Sequence, residues 1–192
     1  QQALGRVLQP VSAQDSVVDG LLALTDMARS QLLIVSPYFV PGDDMKAAFR
    51  RAVQRGVTVR ILTNSLASND APVAHAGYAR HRKELLEMGV QLYELRSVQS
   101  DGPSTLRGTA GHISGSTGKS RAMLHTKLMV VDGHLTVVGS MNLDMRSQLH
   151  NTELALLVAS RMLATEAARN IEESQEASAW HVTLDDEHKL LW

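Results

Sequence analysis

The chain has no cysteine, so disulfides, thiolate metal sites and cysteine nucleophiles are all excluded. It also has almost no surplus charge. With 19 Lys and Arg against 20 Asp and Glu, the formal net charge is -1, and no global positive field gathers nucleic acid or anionic lipid; any anion must be held by a local cluster. Long apolar runs are missing as well. The longest, Leu32 to Val35 and Leu154 to Ala159, fall far short of the roughly 20 residues that span a bilayer. Gln1 to Pro10 has neither the basic start nor the apolar core of a signal peptide. Because position 1 is Gln, a segment of a longer protein is expected. What the chain does have is 44% apolar residues in 192 positions, enough to fill the core of a single domain spanning 1–192.

Alternating helical and strand signals run through the first half. Ser12 and Asp15 are placed to cap a helix whose apolar positions Val18, Leu21, Leu22 and Met27 carry it to about Ser30. Leu32 to Ser36 reads as a buried strand stopped by Pro37, and Asp43 and Asp44 open a helix that ends near Gln54 before Gly56. Val57 to Thr63 is the next strand; a polar loop then leads to a third helix closing at Gly89, and Val90 to Leu95 is a further strand. Brief connections between such elements predict an α/β domain with a mixed, mostly parallel sheet flanked by helices on both faces. The Gly-, Ser- and Thr-rich stretch 97–121 interrupts the rhythm and is expected to be a flexible loop beside the site. Ala122 to Val131 and Leu135 to Gly139 form strands joined through Asp132-Gly133, a hairpin signal. Glu153 to Ala159 is a strand and Arg161 to Ala177 a helix, and the tail residues Leu190, Leu191 and Trp192 are apolar enough to pack.

One segment carries chemistry. His125, Lys127, Asp132, Gly139, Ser140 and Asn142 stand in the spacing HxKx4Dx6GSxN. On a strand, residues two apart share a face, so an imidazole and an ammonium are expected side by side. Facing a phosphodiester, the imidazole can attack phosphorus or deliver a proton, while the ammonium neutralises charge on the non-bridging oxygens. Asn142 can add an amide donor and Ser140 a hydroxyl. An isolated His-x-Lys pair is usually structural; agreement at six positions is not.

This pattern resembles the HKD signature of the phospholipase D superfamily. The resemblance implies a pair of such motifs meeting across a pseudo-twofold axis, a phosphohistidine intermediate, and no metal or other cofactor. It makes His125 the nucleophile or the acid/base, Lys127 and Asn142 phosphate ligands, and Ser140 a support of the pocket. Asp132 and Gly139 become structural members of the motif, and Glu153 matches a downstream carboxylate that orients the histidine. Only one complete motif is present; His81-Arg82-Lys83 lacks the Asp, with Met88 in its place. Ser36 to Gly42, Leu62 to Leu66, Asn69-Asp70, Gly139 to Arg146 and Asn151-Thr152-Glu153 look like the C-terminal half of bacterial cardiolipin synthases, nearest the type C branch. By that likeness His75 and Tyr78 are expected on a head-group rim.

The resemblance implies a phosphatidyltransferase half-site acting on phosphatidylglycerol-like phospholipids, completed by a missing N-terminal HKD half or a second copy. It places the protein peripherally on the bacterial inner membrane, at the cytoplasmic face. The chain alone is expected to be inactive. A homodimeric nuclease of the same superfamily and an inactive phosphate-binding half-domain are the alternatives, the first disfavoured by the near-neutral charge.

Overall fold

The structure is a computed structural model that describes residues 17–97, 110–113, 121–144 and 153–192. The capping residues Ser12 and Asp15, and most of the 97–121 stretch, lie outside the described residues.

Helix α1 (Val17–Met27) leads into strand β1 (Gln31–Val35), four of whose five residues are buried. Helix α2 (Asp43–Gln54) follows, with Asp43 and Asp44 in its first turn, where carboxylates meet the positive end of the helix dipole. Gly56, at φ +84°, takes the left-handed conformation that stops it. Strand β2 (Thr58–Asn64) pairs parallel with β1, and strand β3 (Gln91–Leu95) pairs parallel with β2. Between them the expected single helix is two, α3 (Pro72–Ala79) and α4 (Arg82–Glu87). The chain tightens there through an i→i+3 bond from His81 N to Tyr78 O at 2.8 Å.

The second half departs further from expectation. The strand read as Ala122 to Val131 is two strands, β5 (Arg121–Leu124) and β6 (Leu128–Val131), and residues 125–127 belong to neither. Strand β5 pairs with β4 (Ala110–Ile113), which lies inside the stretch expected to be loop, in a separate two-stranded sheet. Strand β6 joins the main sheet antiparallel to β1 and turns into β7 (Leu135–Gly139) through Asp132 and Gly133, both at positive φ. Strand β8 (Ala155–Ala159), helix α5 (Arg161–Ser178), β9 (Ala179–Leu184) and β10 (Leu190–Leu191) complete the chain.

The main sheet runs β10-β9-β3-β2-β1-β6-β7-β8. Among the described strands of this sheet only β1–β2 and β2–β3 are parallel, so the expectation of a mostly parallel sheet is corrected: the sheet is mixed, with parallel pairing at its centre. Crossover helices make parallel pairs, and after β3 the chain returns through a hairpin and adds β9 at the far edge. Helices do cover both faces. Leu32 and Ile34 of β1 pack with Leu21, Phe49 and Leu85 from α1, α2 and α4, while Leu33 and Val35 pack with Ala164 and Ile171 of α5. The alternation along one strand thus feeds two hydrophobic cores.

Candidate active site

His125, Lys127, Ser140 and Asn142 gather at the end of the sheet where β1 and β2 finish, and Asp132 does not join them. In the antiparallel pairing Leu128 lies opposite Val35, and Gly139 lies opposite Ala155. The end of β7, the approach to β8 and the entry to β6 therefore meet beside the carboxyl ends of the parallel strands, the usual position for a ligand crevice in an open α/β sheet.

Residues 125–127 cross this end outside any strand. His125 is exposed, and among the described residues no hydrogen bond or ion pair holds its imidazole. Lys127 is half-buried, and its Nζ donates to the His125 carbonyl at 2.7 Å. Burial lowers the pKa of this ammonium below the ordinary lysine value, and the Glu153 carboxylate opposes that shift. A pocket of about 30 Å³ explains the burial: Lys127 and Ser36 share its lining with apolar side chains such as Ile34, Met141 and Leu154. A larger cavity of about 810 Å³ lies at the other end of the sheet, beside Asp132 and His134. Cavity size alone does not mark the chemistry.

Ser140 and Glu153 form a unit beside Lys127. The Ser140 hydroxyl donates to Glu153 Oε2 and accepts the Leu154 backbone N–H at 3.1 Å. Gly139 makes this packing possible: a Cβ there would lie 2.5 Å from the Leu154 carbonyl oxygen. Its N–H reaches the Lys127 carbonyl at 3.2 Å, tying the unit to the His-x-Lys segment. Asn142 lies between the buried Met141 and Leu143, and its Oδ1 is buried without a hydrogen-bond partner among the described residues.

Two anchors were not singled out by sequence reasoning. Ser36 Oγ accepts the Leu143 N–H at 3.1 Å and Val40 N donates to the Leu143 carbonyl at 2.7 Å, which pins the segment bearing Asn142. Asn64, at the end of β2, bonds the backbone of Leu124, the residue before His125. The available signal was an amide side chain closing a buried strand. Nearby, the Tyr38 hydroxyl donates to Asp70 Oδ1; burial first, and then that carboxylate, push its pKa up to about 12.

Asp132 is at the opposite end. Its carboxylate accepts the backbone N–H groups of Arg29, Ser30 and Gln31 and the Ser30 hydroxyl. Burial raises its pKa, but these donors outweigh it and hold the carboxyl below the usual value.

His75 and Tyr78 do not form a rim. They are 6% and 2% exposed, so the expectation of an accessible head-group surface is corrected. His75 Nε2 lies 2.9 Å from Arg82, whose guanidinium pairs with Glu94 at 2.7 Å and sits 4.9 Å from the Tyr78 ring centroid. The polar residues of α3 face inward because α4 and β3 supply a buried ion pair for them to meet.

A family model described as "Cardiolipin synthase, PLD-like domain" matches residues 21–175. Cardiolipin synthase C of Escherichia coli is 45% identical over 159 residues, covering 83% of this chain and 32% of that protein. Cardiolipin synthase A of Serratia proteamaculans is 32% identical over 163 residues, covering 82% of this chain and 28% of its own length. The chain therefore spans about a third of these curated relatives. Among solved structures, the phospholipase D family member Nuc from Salmonella typhimurium aligns with TM-score 0.61 at 19% identity, covering 90% of this chain and 94% of its own. Phosphatidylserine synthase of Haemophilus influenzae aligns with TM-score 0.64 at 14% identity, covering 93% and 39% respectively. These two likenesses speak for the fold. Given a family match across most of its length and a relative of such identity, the chain belongs to the cardiolipin synthase type of the phospholipase D-like family.

Proposed function

We propose that this chain supplies one of two HKD half-sites of a bacterial phosphatidyltransferase that makes cardiolipin-type lipids. The observation that carries the reading is the Lys127 ammonium, partly desolvated, bonded to the His125 carbonyl and flanked by the Ser140–Glu153 pair. Cardiolipin synthase C and Cardiolipin synthase A, by their names, make cardiolipin, and each matches more than four fifths of this chain.

One imidazole, on His125 or on its counterpart in the second half-site, attacks the phosphorus of a phosphatidyl donor. The bond to the leaving alcohol breaks, and the other imidazole gives that alkoxide its proton. A glycerol hydroxyl of a phosphatidylglycerol-like acceptor then loses its proton to the same base and attacks the phosphohistidine, which frees the first imidazole. Lys127, with the Asn142 amide N–H groups, binds the non-bridging oxygens as charge builds on them. Ser140 and Glu153 hold the ammonium in place. Water in place of the acceptor gives hydrolysis, so the assembled site must exclude it.

The second half-site comes from an N-terminal HKD half or a second copy. Val138, Leu154, Leu156 and Leu157 expose large apolar side chains around β7 and β8, a surface suited to such a partner. Among the described residues no helix is long and apolar enough to cross a membrane; likeness to the cardiolipin synthases supports the proposal of peripheral contact with the inner membrane, at its cytoplasmic face.

The test grafts this chain in place of the matching segment of E. coli Cardiolipin synthase C and supplies phosphatidylglycerol vesicles, with lipid products read by mass spectrometry. Cardiolipin formation that disappears with His125→Ala supports the reading. Plasmid DNA cleavage by the chain, lost in the same variant, overturns it in favour of a nuclease. Phosphate binding without turnover in the graft supports the inactive half-domain.

A further inference from the structure

We infer that Asn64 is a positioning residue for His125, setting where the imidazole leaves the sheet by gripping the backbone one residue upstream. The inference rests on the reading above that His125 reacts. Asn64 is the last residue of β2 and is 1% exposed. Its Oδ1 accepts the Leu124 N–H at 2.9 Å, and its Nδ2 donates to the Leu124 carbonyl at 3.4 Å and the Pro37 carbonyl at 3.3 Å. One planar amide thus offers Leu124 an acceptor and a donor together, the edge a neighbouring strand would present.

Location gives the grip its consequence. The downstream side of residues 125–127 is held by the main sheet: Leu128 is paired with Val35 and Val138, and the Lys127 carbonyl takes the Gly139 N–H at 3.2 Å. Upstream, among the described residues, β5 pairs only with β4, in a sheet separate from the main one. Among the described residues, the hydrogen bonds joining Leu124 to the main sheet are those of the Asn64 side chain, beside the packing of the Leu124 side chain in the core. Ser68 and Pro37 fix that side chain in turn: Ser68 Oγ lies 3.4 Å from Oδ1 and donates to the Leu95 carbonyl at 3.0 Å. The carboxyl ends of β1, β2 and β3 converge on one amide, and that amide places the residue before His125. Aspartate keeps the acceptor but loses the donor, while leucine fills the space and loses both.

Amide hydrogen exchange on the 192-residue chain, with Asn64→Leu and Asn64→Asp, reads the clamp directly, and the E. coli graft reads its effect on transfer. In Asn64→Leu, Leu124 exchange should rise about 10- to 100-fold while β1 and β3 amides keep their protection. Transfer kcat should fall by a similar factor, about 10- to 100-fold, with KM unchanged, because a displaced imidazole, whether nucleophile or acid/base, weakens the transition state rather than binding. Asn64→Asp should fall between Leu and the parent in both readouts. Unchanged Leu124 exchange, or an unchanged kcat, overturns the inference. So does loss of protection throughout β1 to β3 with kcat and KM both impaired, which marks a merely structural role. If the parent graft makes no cardiolipin, the functional reading fails by itself. The backbone and ring chemical shifts of His125 in Asn64→Leu, followed by NMR, then decide the positioning claim: a change at His125 with the β1 and β3 shifts kept supports it, and unchanged His125 shifts sink it.

Discussion

Asp132 Oδ1 accepts both the backbone N–H and the hydroxyl of Ser30, at 2.8 and 2.9 Å, across 102 residues of sequence. The Asp of the HxKx4D spacing is therefore a strap that fixes the turn between β6 and β7 to the start of β1, at the end of the sheet away from His125 and Lys127. Replacing it by Ala should destabilise the fold by about 1–2 kcal/mol, since the hydrogen bonds from the exposed Arg29 and Ser30 and the half-buried Gln31 to a carboxylate are lost at once. Its folded pKa is depressed, so its contribution is present above the ordinary carboxylate value and is lost as pH falls through the lower folded value. Urea unfolding of the parent and Asp132→Ala should show a gap at neutral pH that narrows on acidification. A gap independent of pH would contradict this account.

Lys127 should shape the alkaline side of the activity profile. Burial pulls its pKa down and Glu153 pulls it up, so the ammonium is lost below the pH expected for a free lysine. Glu153→Gln removes the opposing charge and should shift the alkaline limb of kcat to lower pH. Lys127→Ala should reduce kcat about 100- to 1000-fold, the scale for one donor to a developing charge. Stopped-time assays of the graft across pH give both measurements, and a limb that moves upward in Glu153→Gln would refute the assignment.

The Arg82–Glu94 pair is buried on both sides, at 10% and 2% side-chain exposure. Arg82→Met leaves Glu94 uncompensated and should cost about 3–5 kcal/mol, whereas Arg82→Met with Glu94→Leu should recover most of the loss. Denaturant midpoints of the two variants settle the matter; equal losses would mean that the pair has no special coupling.

Gly139→Ala places a methyl 2.5 Å from the Leu154 carbonyl oxygen, and backbone on both sides resists the move. A loss of about 1–3 kcal/mol is expected, accompanied by separation of Ser140 from Leu154 N and Glu153. Thermal unfolding reads the first effect and the transfer rate of the graft the second.

Residues with local causes were legible in the sequence. The helix opened by Asp43 and Asp44 and closed before Gly56, the buried run Leu32 to Val35, and the Asp132-Gly133 turn each follow from propensity, capping or periodicity within a few positions. Features set by distant partners were not. The segment 125–127 reads as strand because its neighbours are apolar, yet Leu124 bonds to a side chain 60 residues away and the strand breaks there. His75 and Tyr78 look like surface groups until α4 and β3 bring Arg82 and Glu94 against them. The parallel centre was predictable from crossovers, but the addition of β9 beside β3 had no local signal. In the site, motif spacing singled out Lys127 and Ser140, and the family resemblance added Glu153 beside them; Asn64 and Ser36 act through backbone bonds that spacing does not encode.

The main sheet stops at β8, whose outer edge has no strand partner among the described residues and whose Leu156 and Leu157 side chains are exposed. A strand of this kind is a template: its unused amide and carbonyl groups fit any extended chain that arrives, including another copy of itself. At high protein concentration an uncovered β8 costs the chain solubility, so charged residues placed along that border should keep it in solution while leaving its interior intact.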